Sequence, residues 1–156
     1  MATSTLHPKP ASSQSVRDEI SIRAIVDSIH KAHHEKKGAA IAAPYEENAA
    51  VFNLAPPLTH IGVDAQEKQE WLDGWATPID LEARDVEIMI CGDMAIWHGF
   101  LRMRGTKKGT EGGVDFWMRE TLCFKRQAGC WRIVHEHTSV PFYMDGSLRP
   151  AFDLEP

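Results

Sequence analysis

The chain of 156 residues is 43% hydrophobic and 25% charged, and its 17 basic and 22 acidic side chains leave a formal net charge of −5. That length suits one domain with a single core, and the composition excludes wholesale disorder. The acidic balance, and the lack of any apolar run near the roughly 20 residues of a membrane span, argue against nucleic acid and membranes as partners.

Residues 1–14, rich in Ser, Thr and Pro, read as a flexible N-terminal arm without the apolar stretch of a secretory signal. A single domain over 15–142 and a C-terminal tail over 143–156 follow. Ser15 and Asp18 have the spacing of a capping box, and Ile22, Ile25, Val26, Ile29 and Ala32 recur at helical spacing. They predict a long first helix ended by a left-handed Gly38. Residues 39–43 suit a short second helix, 50–54 a short strand, and 64–75 a third helix capped by Asp64. The period then changes to two. Strands are expected over 84–91, 94–104, 114–125 and 130–140, joined by turns at Gly92 and Gly129 and by a glycine-rich connection at 107–113. Helices first and an antiparallel meander afterwards define an α+β domain.

Alternation separates the two faces of the sheet. Phe116, Met118, Leu122 and Phe124 share one side with Glu120, and Val86, Ile88 and Ile90 share the equivalent side of the first long strand. The second long strand offers two sets, Ile96-His98-Phe100-Arg102 or Trp97-Gly99-Leu101-Met103, both partly apolar. With the first set turned inward, His98, Arg102 and Glu120 become polar groups among apolar ones, either as a satisfied ion pair or as the orienting groups of a ligand pocket. Trp97, Leu101, Met103, Trp117 and Trp131 then form an outward patch suited to a homodimer through the outer sheet face.

The remaining polar residues carry weaker signals. His135 and His137 share a strand face, with no third metal ligand nearby in sequence, and His30, His33 and His34 read as a solvated helix end. Cys91, Cys123 and Cys130 lack CxxC spacing and read as buried free thiols in a reducing cytoplasm. No phosphate loop, dinucleotide fingerprint or GxSxG is present, so neither cofactor nor metal is expected.

Tyr45-Glu46-Glu47-Asn48, then Pro56-Pro57-Leu58 with Gly62, a tryptophan-bearing helix, and Trp131-Arg132-Ile133-Val134-His135-Glu136-His137-Thr138-Ser139 resemble the SnoaL-like branch of the nuclear transport factor 2-like superfamily. The last segment is also similar to the association domain of calcium/calmodulin-dependent kinase II. The resemblance implies a cone: a strongly curved, mostly antiparallel sheet wrapped around the N-terminal helices, with a pocket between them and dimerisation through the sheet. In the similar kinase domain a pocket Arg matches Arg102, while two others fall on Thr138 and Leu122. The base, tyrosine and acid of ketosteroid isomerase, another member of the superfamily, fall on Asn53, Ile29 and Thr121, so that mechanism is not expected here.

The expected function is a mostly apolar pocket for a small organic ligand, with Tyr45, Trp71, Trp75 and Phe100 as aromatic walls and His98, Arg102 and Glu120 as the polar set. Two alternatives stand beside it. One is a SnoaL-like isomerase, cyclase or hydrolase, in which His98 or Glu120 moves a proton and Arg102 stabilises an enolate. The other is a homo-oligomerisation module.

Overall fold

The computed structural model describes residues 13–156; the expected arm lies, for residues 1–12, outside them. In chain order the elements are α1 (Ser13–His34), α2 (Gly38–Ala42), β1 (Tyr45–Phe52), β2 (His60–Ile61), α3 (Ala65–Asp73), β3 (Asp80–Cys91), β4 (Met94–Gly105), β5 (Val114–Gln127) and β6 (Cys130–Ser139). The six strands form one curved, unclosed sheet in the order β2-β1-β6-β5-β4-β3, antiparallel except where β1 runs parallel to β6. The expected α+β architecture is present. β1 begins earlier than expected, because Tyr45, Ala49 and Val51 bury their side chains in the core.

α1 presents Ile22, Val26, Ile29 and Ala32 to the core, and α3 presents Leu72, with Trp75 just beyond its end. Asp64 caps α3 as expected, accepting from the backbone nitrogens of Gln66 and Glu67 at 2.9 and 2.8 Å. Asp18 has a different job from the one its spacing suggests. α1 is already under way at Ser13, and Asp18 is 5% exposed, gripped by Arg126 at 2.6 and 2.7 Å and by the Trp131 indole at 3.3 Å. The pair clamps α1 to the β5–β6 hairpin. The left-handed residue after α1 is Lys36 and not Gly38. Gly38 is needed for close approach, since a Cβ there would sit 2.6 Å from the Ala65 carbonyl oxygen and 2.7 Å from the Gln69 nitrogen.

Register decides which residues face the helices. Directly opposed residues share a face, and Gly99 of β4 stands opposite Glu120 of β5. The inward set of β4 is therefore Trp97-Gly99-Leu101-Met103, and the Ile96-His98-Phe100-Arg102 set lies on the outer face, contrary to the expectation above. Both sets are half apolar, so alternation alone did not separate them. Trp97, Leu101 and Trp131 are buried inside, and Met103 packs against the core. Of the expected outward patch, Trp117 alone keeps its side. Cys91 and Cys130 are exposed and Cys123 is half-buried, so the expectation of buried thiols fails for two of the three.

The tail folds back through Tyr143 N to Arg149 O and Ala151 N to Pro141 O, both 2.9 Å, and places the Phe152 ring 4.6 Å from that of Phe116. It closes the smaller apolar cluster of Leu101, Phe116 and Met118 at one end of the sheet. Among the described residues no helix is long and apolar enough to cross a membrane.

Candidate functional site

Two carboxylic residues meet on the concave face. Glu120 lies opposite Thr138 of β6, and Glu136 lies opposite Leu122 of β5. The two are thus diagonal neighbours across one strand pair, with backbones about 7–8 Å apart. Glu136 reaches this face through a bulge: Phe124 pairs with Ile133 but Cys123 pairs with His135, so the parity of β6 reverses between Ile133 and His135. Trp131, Ile133 and Glu136 all face inward as a result, and His135 and His137 face outward.

Each carboxyl group has its own donor. The Trp97 indole donates to Glu120 Oε2 at 3.1 Å, and the Tyr45 hydroxyl donates to Glu136 Oε2. Tyr45 is held in turn by Arg132, whose guanidinium donates to the Tyr45 carbonyl at 2.6 Å, the Ala43 carbonyl at 2.7 Å and Glu46 at 3.0 Å. Glu120 is 8% exposed. Its burial, reinforced by the charge of Glu136 and opposed by the Trp97 hydrogen bond, pushes its carboxyl up to about 8. Near neutral pH it is a neutral acid. Burial, then the charge and hydrogen bond of Glu136, raise the Tyr45 phenol well above its ordinary value.

The helices supply a second rank of polar groups. His33 is half-buried one turn after Ile29, donating its Nδ1–H to the Ile29 carbonyl at 2.8 Å. Burial pulls it down to about 4, so it is neutral. His30 is shifted down by burial as well. Lys68 lies half-buried on α3 with its ammonium 5.1 Å from the centre of the Trp71 ring. Trp71, 37% exposed, meets His33 and Trp75 edge-on at 6.2 and 5.5 Å. Trp75 is wholly buried, and its indole nitrogen has no hydrogen-bond partner among the described residues.

Of the expected site, Glu120 and Tyr45 come together on the concave face, and Trp71 and Trp75 stand on the helix side. His98, Arg102 and Phe100 do not join them. His98 sits on the outer face 3.7 Å from Glu87, and Arg102 forms a two-pronged pair with Asp115 at 2.7 and 2.9 Å and covers the Trp117 ring. Register is the reason in each case. Sequence reasoning missed Glu136, Lys68, His33 and the inward Trp97. His33 continues the buried stripe of Ile22, Val26 and Ile29, and Lys68 precedes Leu72 by one turn, so helical spacing could have found both.

Two open hollows are lined by described residues. One, of about 540 Å³, lies between the β1–β2 loop (Phe52 to Leu58) and His137 and Thr138. Thr138 is the residue directly opposite Glu120. The other, of about 600 Å³, belongs to the tail, between Tyr143 and Asp153.

A SnoaL-like domain matches residues 22–143. Among solved structures, a nuclear transport factor 2-like protein of unknown function from Pseudomonas putida KT2440 is 26% identical, with a TM-score of 0.78 over 94% of this chain and 100% of that one. A proposed scytalone dehydratase from Novosphingobium aromaticivorans is 12% identical, with a TM-score of 0.75 over 90% of this chain and 95% of that one. A proposed calcium/calmodulin-dependent protein kinase II association domain from Xanthomonas campestris is 15% identical, with a TM-score of 0.66 over 89% and 96%. No curated protein matches the chain. With the cone fold in place and the matched segment running from α1 into the tail, the chain belongs to the SnoaL-like family.

Proposed function

We propose that the concave face binds a small hydrophobic carbonyl compound and moves a proton on it by general acid–base chemistry. The observation that carries this reading is the pairing of a neutral buried acid, Glu120, with the Glu136 carboxylate. A buried carboxyl kept neutral serves as the acid, and a second carboxyl beside it is placed to serve as the base. The Glu136 carboxylate removes a proton from the carbon beside the carbonyl. The electron pair moves onto the carbonyl oxygen, where the Glu120 hydroxyl donates a hydrogen bond to the forming enolate. Return of the proton at another carbon completes an isomerisation; departure of a β-hydroxyl as water, carrying the proton that Glu136 took up, while the enolate pair reforms the carbonyl and a carbon–carbon double bond, completes a dehydration. Tyr45 fixes the base and Trp97 fixes the acid. The hollow that ends at Thr138 supports an approach to Glu120 from the β1–β2 loop. The similarity in fold to a proposed scytalone dehydratase is compatible with the dehydration branch.

The test is exchange of the α-protons of 2-tetralone in deuterated buffer, followed by proton nuclear magnetic resonance. The native chain accelerates the exchange, and Glu136→Gln and Glu120→Gln each slow it by about a hundredfold or more. No acceleration by the native chain, or equal rates in all three proteins, overturns the reading.

A second reading, self-association through the outer sheet face, keeps a specific support. Register aligns Met89, Ile96, Cys123 and His135 in one row across four strands of that face, and Ile96 is 38% exposed. Such a row of apolar and weakly polar side chains on a face that carries no helix suits a partner copy.

A further inference from the structure

The core-facing stripe of α3 begins with a cation. Lys68, Leu72 and Trp75 recur at helical spacing, and Leu72 and Trp75 are fully buried. A lysine at the head of such a stripe lays its stem along apolar surface and carries its ammonium toward whatever lies beyond. Here that is the Trp71 ring, 5.1 Å away. Among the described residues the Lys68 ammonium makes no hydrogen bond and no ion pair. The carboxylate whose charge acts on it is that of Glu136, to which the Tyr45 hydroxyl already donates. Burial holds the ammonium below the ordinary lysine range.

A cation drawn partly out of water against one ring face retains an unmet need for an acceptor. The groups around it limit what that acceptor is. The Trp71 ring offers a flat apolar surface still open to solvent. His33, edge-on to Trp71, uses Nδ1 on the Ile29 carbonyl, and its Nε2, an acceptor, gives a carboxylate no hydrogen bond, so the donor is Lys68. We propose that Lys68 and Trp71 form a subsite for the carboxylate of a planar, unsaturated acid, with the carboxylate on Lys68 and the π-system against Trp71. A charge-assisted hydrogen bond in such surroundings is stronger than a neutral one and discriminates an acid from its amide. The proposal rests on the reading of the concave face as a small-molecule site and adds a substrate class to it. The substrate then carries a carbonyl group for Glu120 and a carboxylate for Lys68.

The test compares 2-naphthoate with 2-naphthamide, two flat probes of equal size and different charge, by quenching of tryptophan fluorescence in the full chain. The native protein binds the naphthoate about tenfold or more tighter than the amide. Lys68→Met removes that preference, and Lys68→Arg restores most of it; circular dichroism confirms that both variants are folded. Equal affinity for the two probes, a preference that survives Lys68→Met, or binding of neither probe overturns the subsite. The proton-exchange assay is independent of these outcomes. A lysine-dependent preference without exchange of 2-tetralone leaves the subsite standing and removes the acid–base chemistry; exchange without the preference does the reverse.

Discussion

Replacing Glu120 by Gln isolates the effect of its buried carboxyl on stability. In the folded chain that carboxyl is pushed to about 8, against an ordinary value of 4.5. Between those limits the folded chain keeps a proton that the unfolded chain has released, so stability falls as pH rises. The slope approaches about 1.4 kcal/mol per pH unit, which accumulates to a few kcal/mol, on the order of 3–4, between about pH 5 and about pH 8. His33 works the other way. Its imidazole is held at about 4 against 6.5, so it stabilises the fold above 6.5 and loses that contribution as pH falls through its folded value. The difference between native and variant curves removes His33 and every other shared group. Glu120→Gln keeps the size of the side chain and an acceptor for the Trp97 indole, but it has no charge to bury. Urea unfolding followed by tryptophan fluorescence, at steps across this range, is the assay. The variant gains on the native chain by a few kcal/mol, on the order of 3–4, from the acid to the basic end of that window. Parallel curves would refute the reasoning, because they would mean that Glu120 ionises as freely folded as unfolded.

Three other outcomes are expected. Tyr45→Phe leaves the Glu136 carboxylate without its hydroxyl donor, which lowers stability by about 1–3 kcal/mol and slows 2-tetralone exchange; unchanged exchange would show that Tyr45 does not position the base. Asp18→Asn breaks the clamp between α1 and the β5–β6 hairpin. Because Arg126 holds the Asp18 carboxyl down at about 2, the native clamp is present above the ordinary carboxylate value and is lost as pH falls through that lower one. The variant is therefore less stable than the native chain near neutral pH, and the gap closes in acid unfolding scans. Ile96→Lys places a charge in the middle of the outer-face row and lowers the sedimentation-derived mass of any oligomer; an unchanged oligomer would rule out that face as the contact.

The parts of the fold that could be read in the sequence are those where periodicity and local chemistry agree. α1 shows its stripe, α3 shows both its cap and its stripe, and β5 has one plainly apolar face, so Glu120 is placed correctly from alternation alone. β4 has two half-apolar faces, because Phe100 and Ile96 on one side balance Trp97 and Leu101 on the other. Its orientation comes only from the pairing of Gly99 with Glu120, a long-range fact. The site inherits that difficulty: His98 and Arg102 leave it and Trp97 enters. Glu136 was hidden for another reason. Strict alternation puts it on the face opposite Trp131 and Ile133, and the bulge opposite Cys123 and Phe124 instead brings all three inward. His33 and Lys68 stood in plain view on helical stripes, where their polarity argued for solvent and their spacing for the interior. Spacing was the better guide, because half-buried His and Lys side chains can expose a polar tip while covering apolar surface.

The central claim is that the Glu120 carboxyl is neutral near neutral pH while the Glu136 carboxyl lies beside it. Carbon-13 resonance of chains labelled at the glutamate side-chain carboxyl, assigned through Glu120→Gln, reads this directly. The Glu120 signal is predicted to titrate with a midpoint near 8. A midpoint near the ordinary 4.5 would contradict the account, since the site would then hold no acid near neutral pH.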